Sequence, residues 1–511
     1  MSNVARRNPS GPIGRGIDAA RRSRPRPAPS SPPLLQLQPY EPGVATHPAD
    51  RTLGRVVVVI LLGYLVLGRS FAQIGVGAVN LFLGEVLLVL AVLDGRTRAG
   101  LHGALRSLVL PGPLHLLAWA AAVFVGYGAA QTGRALVSGA DPIEALKVFA
   151  FHYYVAYLFI GVAIGLLVPD VLERVVRLVP WGVAGFLAVS AAGINVSLPF
   201  SSAIGLYAGA GAPIAMLALI CFRPKLSHGL PAFAVCLLSW LYFQIRGDWL
   251  GVIAAIVVWA LLTGRYRQLA GGVAAVGVLF SVIAALELRI EASRYRGGSL
   301  SAGEIFGRMV APFSEDLGRR YARDAEVFAG TADWRRNFWE AIWAAVHSSD
   351  RTALFGLGYG HPLSELTTFI TEDLRSPHNV FFFALGYGGW TGVVAFGLLH
   401  ATVLGALVAV HRRTGNPFGI MLWTFATVTG LFGNYYETPY NSLPYYLLIG
   451  LSLAPLARRD RGVFAPSGGR RPPRRRATPH PVRDPRPVPA QVAGDAVSAP
   501  GRSRLNMNGT R

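Results

Sequence analysis

Few side chains in this sequence stand where chemistry would need them. His378 ends a polar stretch and opens an apolar one, in LRSPHNVFFFALGYGGWTGVVAFGLL. An imidazole there can take or give a proton near neutral pH while its apolar neighbours exclude water. The plainer reading makes it a helix-entry residue that hydrogen-bonds lipid headgroups, and position alone does not separate the two. Arg246 and Asp248 interrupt a pair of hydrophobic runs in LYFQIRGDWLGV, a costly place for charge. They either pair with each other in a turn, or present a guanidinium as a bidentate partner for a diphosphate. Arg335 lies four residues before Trp339 on one helical face, from which it can reach over apolar surface toward a phosphate; Arg336 is spaced to pair with Glu340. Arg134, Glu144 and Lys147 flank the start of another apolar run, as lining of the same entrance or as ordinary snorkelling side chains. Glu85 is isolated in an apolar run, which predicts that it faces protein or a cavity.

Other chemistries find no support. The glycine-bearing FGLGYGHPL, residues 355–363, lacks the GK[ST] ending and the preceding strand of a phosphate loop. No His/Cys cluster has zinc spacing, no Asp-rich motif suggests a divalent cation, and His152, His228, His400 and His411 form no facing set for haem. No cofactor and no metal is therefore expected. Cys221 and Cys236 fall in or beside apolar runs and read as small apolar side chains.

The elements that must hold these residues are set by hydropathy. Of 511 residues, 52% are hydrophobic and 15% charged, against about 25% charged in soluble domains. Apolar runs recur at 54–68, 72–93, 111–130, 148–168, 176–194, 203–221, 228–244, 249–263, 268–288, 390–410, 417–434 and 442–456. They predict an all-α, polytopic membrane bundle of about twelve spans. The net charge of +21 sits mostly in two Pro/Arg-rich tails, 1–52 and 457–511, too poor in apolar residues to fold. Those tails read as cytoplasmic anchors on anionic lipid, with no nucleic acid expected as a partner. Short loops on one side carry 11 Lys/Arg and those on the other carry four, Arg69, Arg134, Lys147 and Arg246. That asymmetry predicts both termini inside the cell.

The remaining connection, 289–375, is outer and long, with 11 Arg and 12 acids. It reads as a folded polar cap between the spans of 53–288 and the re-entry segment and spans of 376–456. Within it, TADWRRNFWEAIWAAVHSS predicts an amphipathic helix with Trp339, Ile342, Trp343 and Val346 on one face, able to lie on the bilayer; Trp334, Trp339 and Trp343 suit the interface.

Taken together, the RG-D-WL segment, WRRNFW and LFGLGYG in the loop, and the closing SPHNVFFFALGYGGWTG resemble the O-antigen ligase and polymerase superfamily. The likeness covers residues 240–400 by motif and 53–456 by span pattern. It implies a metal-independent glycosyltransferase of the bacterial cytoplasmic membrane that takes a glycan from undecaprenyl diphosphate and passes it, with inversion, to an acceptor hydroxyl on the outer side. The acceptor, whether glycan, lipid or protein, is not identified. By resemblance His378 matches the loop histidine, followed by Asn379 and the cluster Gly386, Gly388 and Gly389. Arg246 matches the membrane-proximal arginine and Arg335 the arginine before the loop tryptophan, with Arg336 competing for that place. Gly356, Gly358 and Gly360 match the small-residue turn. Arg246 and Arg335 would bind the diphosphate, and His378 would either deprotonate the acceptor or hydrogen-bond the leaving group. Asn379, Arg134 and Lys147 are expected at the substrate entrance. A polymerase of lipid-linked repeat units and a multi-pass transporter are the alternative readings, the latter without evident internal repeats.

Overall fold

The computed structural model describes residues 48–463 apart from 77–78, 94, 110–113, 193–209, 223–225, 244–245, 287–289, 292–298, 311–313, 322–324, 361 and 368–375. The chain divides into the units Met1–Gly462 and Val463–Arg511, and all described residues but Val463 lie in the first. The two basic tails thus fall almost wholly outside the described residues.

The first half runs α1 (Pro48–Leu67), α2 (Arg69–Ala72), strands β1 (Gln73–Val76) and β2 (Val79–Phe82), α3 (Leu83–Leu93), α4 (Gly95–Val109), α5 (His115–Val137), α6 (Pro142–Tyr153), α7 (Ala156–Leu167) and α8 (Val171–Ala191). It continues through α9 (Gly211–Phe222), α10 (Leu226–Phe243), α11 (Arg246–Thr263) and α12 (Tyr266–Ala285). The long connection 289–375 holds β3 (Ile290–Glu291), β4 (Ser299–Leu300), α13 (Ala302–Val310), α14 (Glu315–Tyr321), α15 (Ala325–Val346), α16 (Asp350–Phe355) and a 3-10 turn at Leu363–Leu366. The chain then closes with α17 (Val380–Thr414), α18 (Phe418–Phe432) and α19 (Pro439–Val463).

Every apolar run of the sequence carries a helix, but fewer of these helices reach bilayer length than the expected twelve. Three are long and apolar enough among the described residues, His115–Val137, Val171–Ala191 and Val380–Thr414; α6 and α7, bent by 43°, make a fourth if counted as one span. Of the others, α9 and α18 hold only 12 and 15 residues, where about 20 are needed to cross about 30 Å of hydrocarbon; α1, α12 and α19 hold 20 to 25 residues but do not combine the length and the apolarity of a span. The run 72–93 shows why: an antiparallel β1–β2 ladder, pairing Gln73 with Phe82, occupies its first half and leaves α3 only 11 residues. α1 begins at Pro48, inside the expected N-terminal tail, and α19 runs past residue 456 to Val463.

Helices meet closely where glycine allows it. A Cβ on Gly161 of α7 would lie 2.4 Å from Leu447 O, and one on Gly450 of α19 would lie 2.0 Å from Leu158 O. The two backbones therefore touch, the small-residue packing that apolar surroundings favour.

Within the connection 289–375, α15 packs on α17. Its buried face differs from the expected one. Phe338, Ile342 and Val346 are each 0% exposed, whereas Trp343 is 43% exposed and Trp339 half-buried. Phe338, at i, i+4 and i+8 with Ile342 and Val346, displaces Trp343 because the helix faces protein rather than a bilayer along this stripe.

Candidate active site

Asn379 caps α17, its Oδ1 accepting from the backbone N–H groups of Phe381 (2.9 Å) and Phe382 (3.3 Å). Asparagine at this position satisfies donors that the helix cannot, and fixes where the helix begins. The residue before it, His378, has φ 50°, and it is the one non-glycine residue at positive φ among those described. An L-residue held there is strained and needs neighbours to keep it so. Three supply that restraint. The Ser376 hydroxyl accepts from the His378 N–H at 3.0 Å, the Trp339 indole N–H donates to Pro377 O at 2.8 Å, and the Trp334 ring meets the imidazole edge-on at 5.8 Å.

Those tryptophans come from α15, which also delivers Arg335. Its guanidinium lies 5.6 Å from the Trp334 ring and donates to Phe432 O at 3.4 Å, at the C-terminal end of α18. Phe432 is also the meeting point for α11: a Cβ on Gly247 would lie 3.7 Å from Phe432 Cβ, and Thr429 Oγ1 donates to Gly247 O at 3.3 Å. Arg246 opens α11 one residue earlier, and its side chain lies outside the described residues. Asp248 is 6% exposed. Four segments remote in sequence, 246–248, 334–339, 376–379 and 429–437, therefore converge. A small apolar cavity lined by Leu65, Val183, Phe186, Ala212, Trp240 and Phe243 has Asp248 in its wall.

The other expected site residues fall elsewhere. Arg336 pairs with Asp333 instead of Glu340, and both side chains are exposed. Asp333, three residues N-terminal, is Arg336's neighbour on the helix surface, as Glu340 is four residues on, and Asp333 lies N-terminal to the base, the better order for such a pair. Lys147 pairs with Glu144 at 2.7 Å on the surface of α6. Arg134 reaches Phe355 O at 3.5 Å, and its guanidinium nitrogen lies 2.9 Å from where a Gly358 Cβ would be. The structure thus gives Arg134 to the glycine turn that follows α16 and brings neither Arg134 nor Lys147 to the His378 turn. Glu85 accepts from the Tyr153 hydroxyl at 2.8 Å, which agrees with a carboxylate facing protein.

The glycine turn is a packing device. Gly356 and Gly389 have φ 70° and 61°, and a Cβ on either would lie within 2.6 Å of the other segment's backbone. Leu357 N–H donates to Gly386 O at 2.8 Å across the same contact, and α17 breaks its helical geometry at Gly389. Side chains fasten the turn further. Gln131 donates to Phe355 O at 3.0 Å, Tyr127 donates to Gly388 O, and Tyr359 donates to His152 Nε2. His152 Nδ1 lies 2.9 Å from Phe124 O, an acceptor only, so Nδ1 carries the proton and Nε2 accepts.

Sequence reasoning missed Glu437, in the turn between α18 and α19. Both its carboxylate oxygens are buried without a hydrogen-bond partner among the described residues. Desolvation pushes its carboxyl up to about 8, against an opposing contribution from the Ser376 hydroxyl. A lone acid within NYYETPY, at the end of an apolar run, was the available signal. No group of three or more His, Cys, Asp or Glu able to hold a metal occurs among the described residues. No protein-family model matches the chain, and no curated protein matches it.

Proposed function

We propose that the chain is a membrane glycosyltransferase of the O-antigen ligase and polymerase kind, moving a glycan from a prenyl diphosphate to an acceptor hydroxyl at the outer face of a bacterial cytoplasmic membrane. The observation that carries the reading is the convergence at Phe432, where the Arg335 guanidinium and the start of α11 meet beside the turn that holds His378.

Such a transfer breaks the anomeric C–O bond, and the bond's electron pair leaves with the diphosphate. Two guanidinium groups, from Arg335 and Arg246, would stabilise that growing negative charge without a metal; a single well-placed donor of this kind is worth on the order of 10² to 10³ in rate. The acceptor oxygen forms the new bond from the opposite face, and its proton passes to His378 Nδ1 or Nε2. The fixed backbone of His378 favours this role, because a base must be held within hydrogen-bond reach of the proton it takes.

Within this chemistry, transfer of a finished chain is the reading we adopt, and polymerisation of repeat units is its nearest rival. Membranes containing the protein are incubated with lipid-linked repeats, and the products are separated. Glycan on an acceptor distinct from the lipid carrier is the expected result. Lengthened glycan still on prenyl diphosphate makes the protein a polymerase, and movement of the donor across the bilayer with no new covalent product makes it a transporter.

A further inference from the structure

Four large apolar side chains stand together where α15, α16 and α17 meet, with little protein over them. Trp343, Leu354, Phe355 and Trp390 are each between 37% and 51% exposed. The Trp343 and Trp390 rings meet edge-on at 6.1 Å, and His347 joins them. Its Nδ1 lies 2.8 Å from Trp343 O, an acceptor only, so Nδ1 carries the proton and Nε2 accepts the Trp390 indole N–H at 3.3 Å. A Cβ on Gly389 would lie 2.6 Å from Leu354 O, so α16 ends beside the residue that precedes Trp390. An exposed apolar cluster of this kind marks a surface that meets something other than water.

Two helices set the level at which the cluster lies. Trp390, Val394 and Leu398 form one exposed apolar stripe along α17, which is long and apolar enough to cross a membrane. The exposed Arg412 follows Trp390 by 22 residues, about 33 Å of helix against a hydrocarbon core of about 30 Å. An aromatic residue at one end and arginines at the other are the usual anchors of such a span. α5, also long and apolar enough to cross, gives the same level. Gln131, which donates to Phe355 O at 3.0 Å, stands six residues before that helix ends at Val137, or about 9 Å inside its end. The start of α15 is polar instead. Arg336 and Glu340, both exposed, precede Trp343 and His347 on one stripe, so the helix begins in water and ends at the cluster.

We infer that Trp343, Leu354, Phe355 and Trp390 form a foot with which the connection 289–375 stands in the lipid interface of the membrane that α17 crosses, at the end opposite Arg412 and Arg413. Indole rings suit that layer, since they join an apolar body to a polar N–H. Of the three tryptophans expected at the interface, only Trp343 belongs to the foot; Trp334 and Trp339 turn to His378 and Pro377. The foot also fixes a height. Trp339 precedes Trp343 by about 6 Å of helix, and its indole N–H holds Pro377 O, so the His378 turn is tied one helical turn from the interface. The inference rests on α17 crossing the membrane and not on the transfer chemistry. On the proposed reading, a diphosphate carried by a membrane lipid lies at that same height.

Nitroxide accessibility in vesicles tests the foot. In the full chain carrying Cys221→Ala and Cys236→Ala, one spin label at a time is attached to Leu354→Cys, Phe355→Cys, Val394→Cys or Asn337→Cys. The protein is placed in vesicles of phosphatidylethanolamine and phosphatidylglycerol. Collision with oxygen, which concentrates in hydrocarbon, is compared with collision with a water-soluble nickel chelate. The oxygen-to-nickel ratio at Leu354→Cys and Phe355→Cys should approach that at Val394→Cys and exceed that at Asn337→Cys, on the exposed start of α15, by about fivefold or more. Ratios as low as at Asn337→Cys overturn the inference. Shielding of both foot labels from both reagents overturns it too, and puts a second copy or another protein over the cluster. A Val394→Cys label that favours nickel takes α17 out of the membrane, and the foot with it. Lipid contact at Leu354→Cys and Phe355→Cys without any transfer product sustains the inference and counts instead against the glycosyltransferase reading.

Discussion

At the scale of the residue, His378 is held in a conformation its side chain does not prefer. The positive φ costs about 1 kcal/mol for a non-glycine residue, offset by Asn379, Ser376 and the two tryptophans. His378→Gly should therefore fold at least as well as His378→Ala while both lose transfer, with normal abundance in membranes; transfer surviving in a well-folded His378→Gly protein would remove the imidazole from the chemistry. Glu437 gives a separate stability signal. Its folded value is raised from 4.5 to about 8, so both states are protonated below pH 4.5 and no stability is lost there. Between 4.5 and 8 the unfolded chain gives up the proton and the folded chain keeps it, so stability falls as pH rises and levels off above 8. The loss is at most about 5 kcal/mol. Thermal unfolding in detergent should show this slope in wild type and lose it in Glu437→Gln. Arg335 and His378 were singled out from residue type and neighbours; Glu437 was signalled only as a lone acid in NYYETPY, and its burial without a partner is revealed by packing alone.

Element boundaries followed hydropathy where a helix faces apolar surroundings along its length and departed from it where backbones must meet. The run at 72–93 is apolar enough for a span, yet half of it pairs as a hairpin. Conversely, the re-entry segment and the run at 390–410 form one 35-residue helix broken at Gly389, since the turn after α16 comes so close that only glycine fits. The amphipathic helix of the loop was legible, but its inward face was set by Phe338, a residue the periodicity of the tryptophans had hidden. The interlock of Gly356 with Gly389 makes a sharp prediction. Gly389→Ala adds a methyl within 2.6 Å of Leu354 O at positive φ, and should lower stability by several kcal/mol. Gly397→Ala, in the same helix with nothing within 4 Å, should leave the melting temperature unchanged or raise it slightly. Tyr359→Phe should cost about 1–3 kcal/mol by leaving His152 Nε2 buried without its donor.

For the whole molecule, charge distribution carried more information than net charge. Most of the +21 belongs to the tails, and the informative part is the excess of Lys/Arg in one set of short loops. In the expected topology, with this excess facing the cytoplasm, the segments that converge at Phe432, together with Arg69, fall on the outer side. With both cysteines replaced, an impermeant maleimide added outside intact cells should label a cysteine at the exposed Ser348 and spare one at the exposed Arg177; the reverse pattern would invert the topology. The convergence itself was not legible as geometry, since no spacing rule ties residues 246, 335, 378 and 432 together. The most direct test of a single transfer site is a double-mutant cycle on purified protein in liposomes with a prenyl-diphosphate glycan and acceptor. Wild type should form the new glycosidic bond, Arg335→Ala and His378→Gly should each lower the rate about 100-fold or more, and the double variant should fall little below the worse single one. No product from wild type, or losses that multiply as if the two residues acted apart, would contradict it.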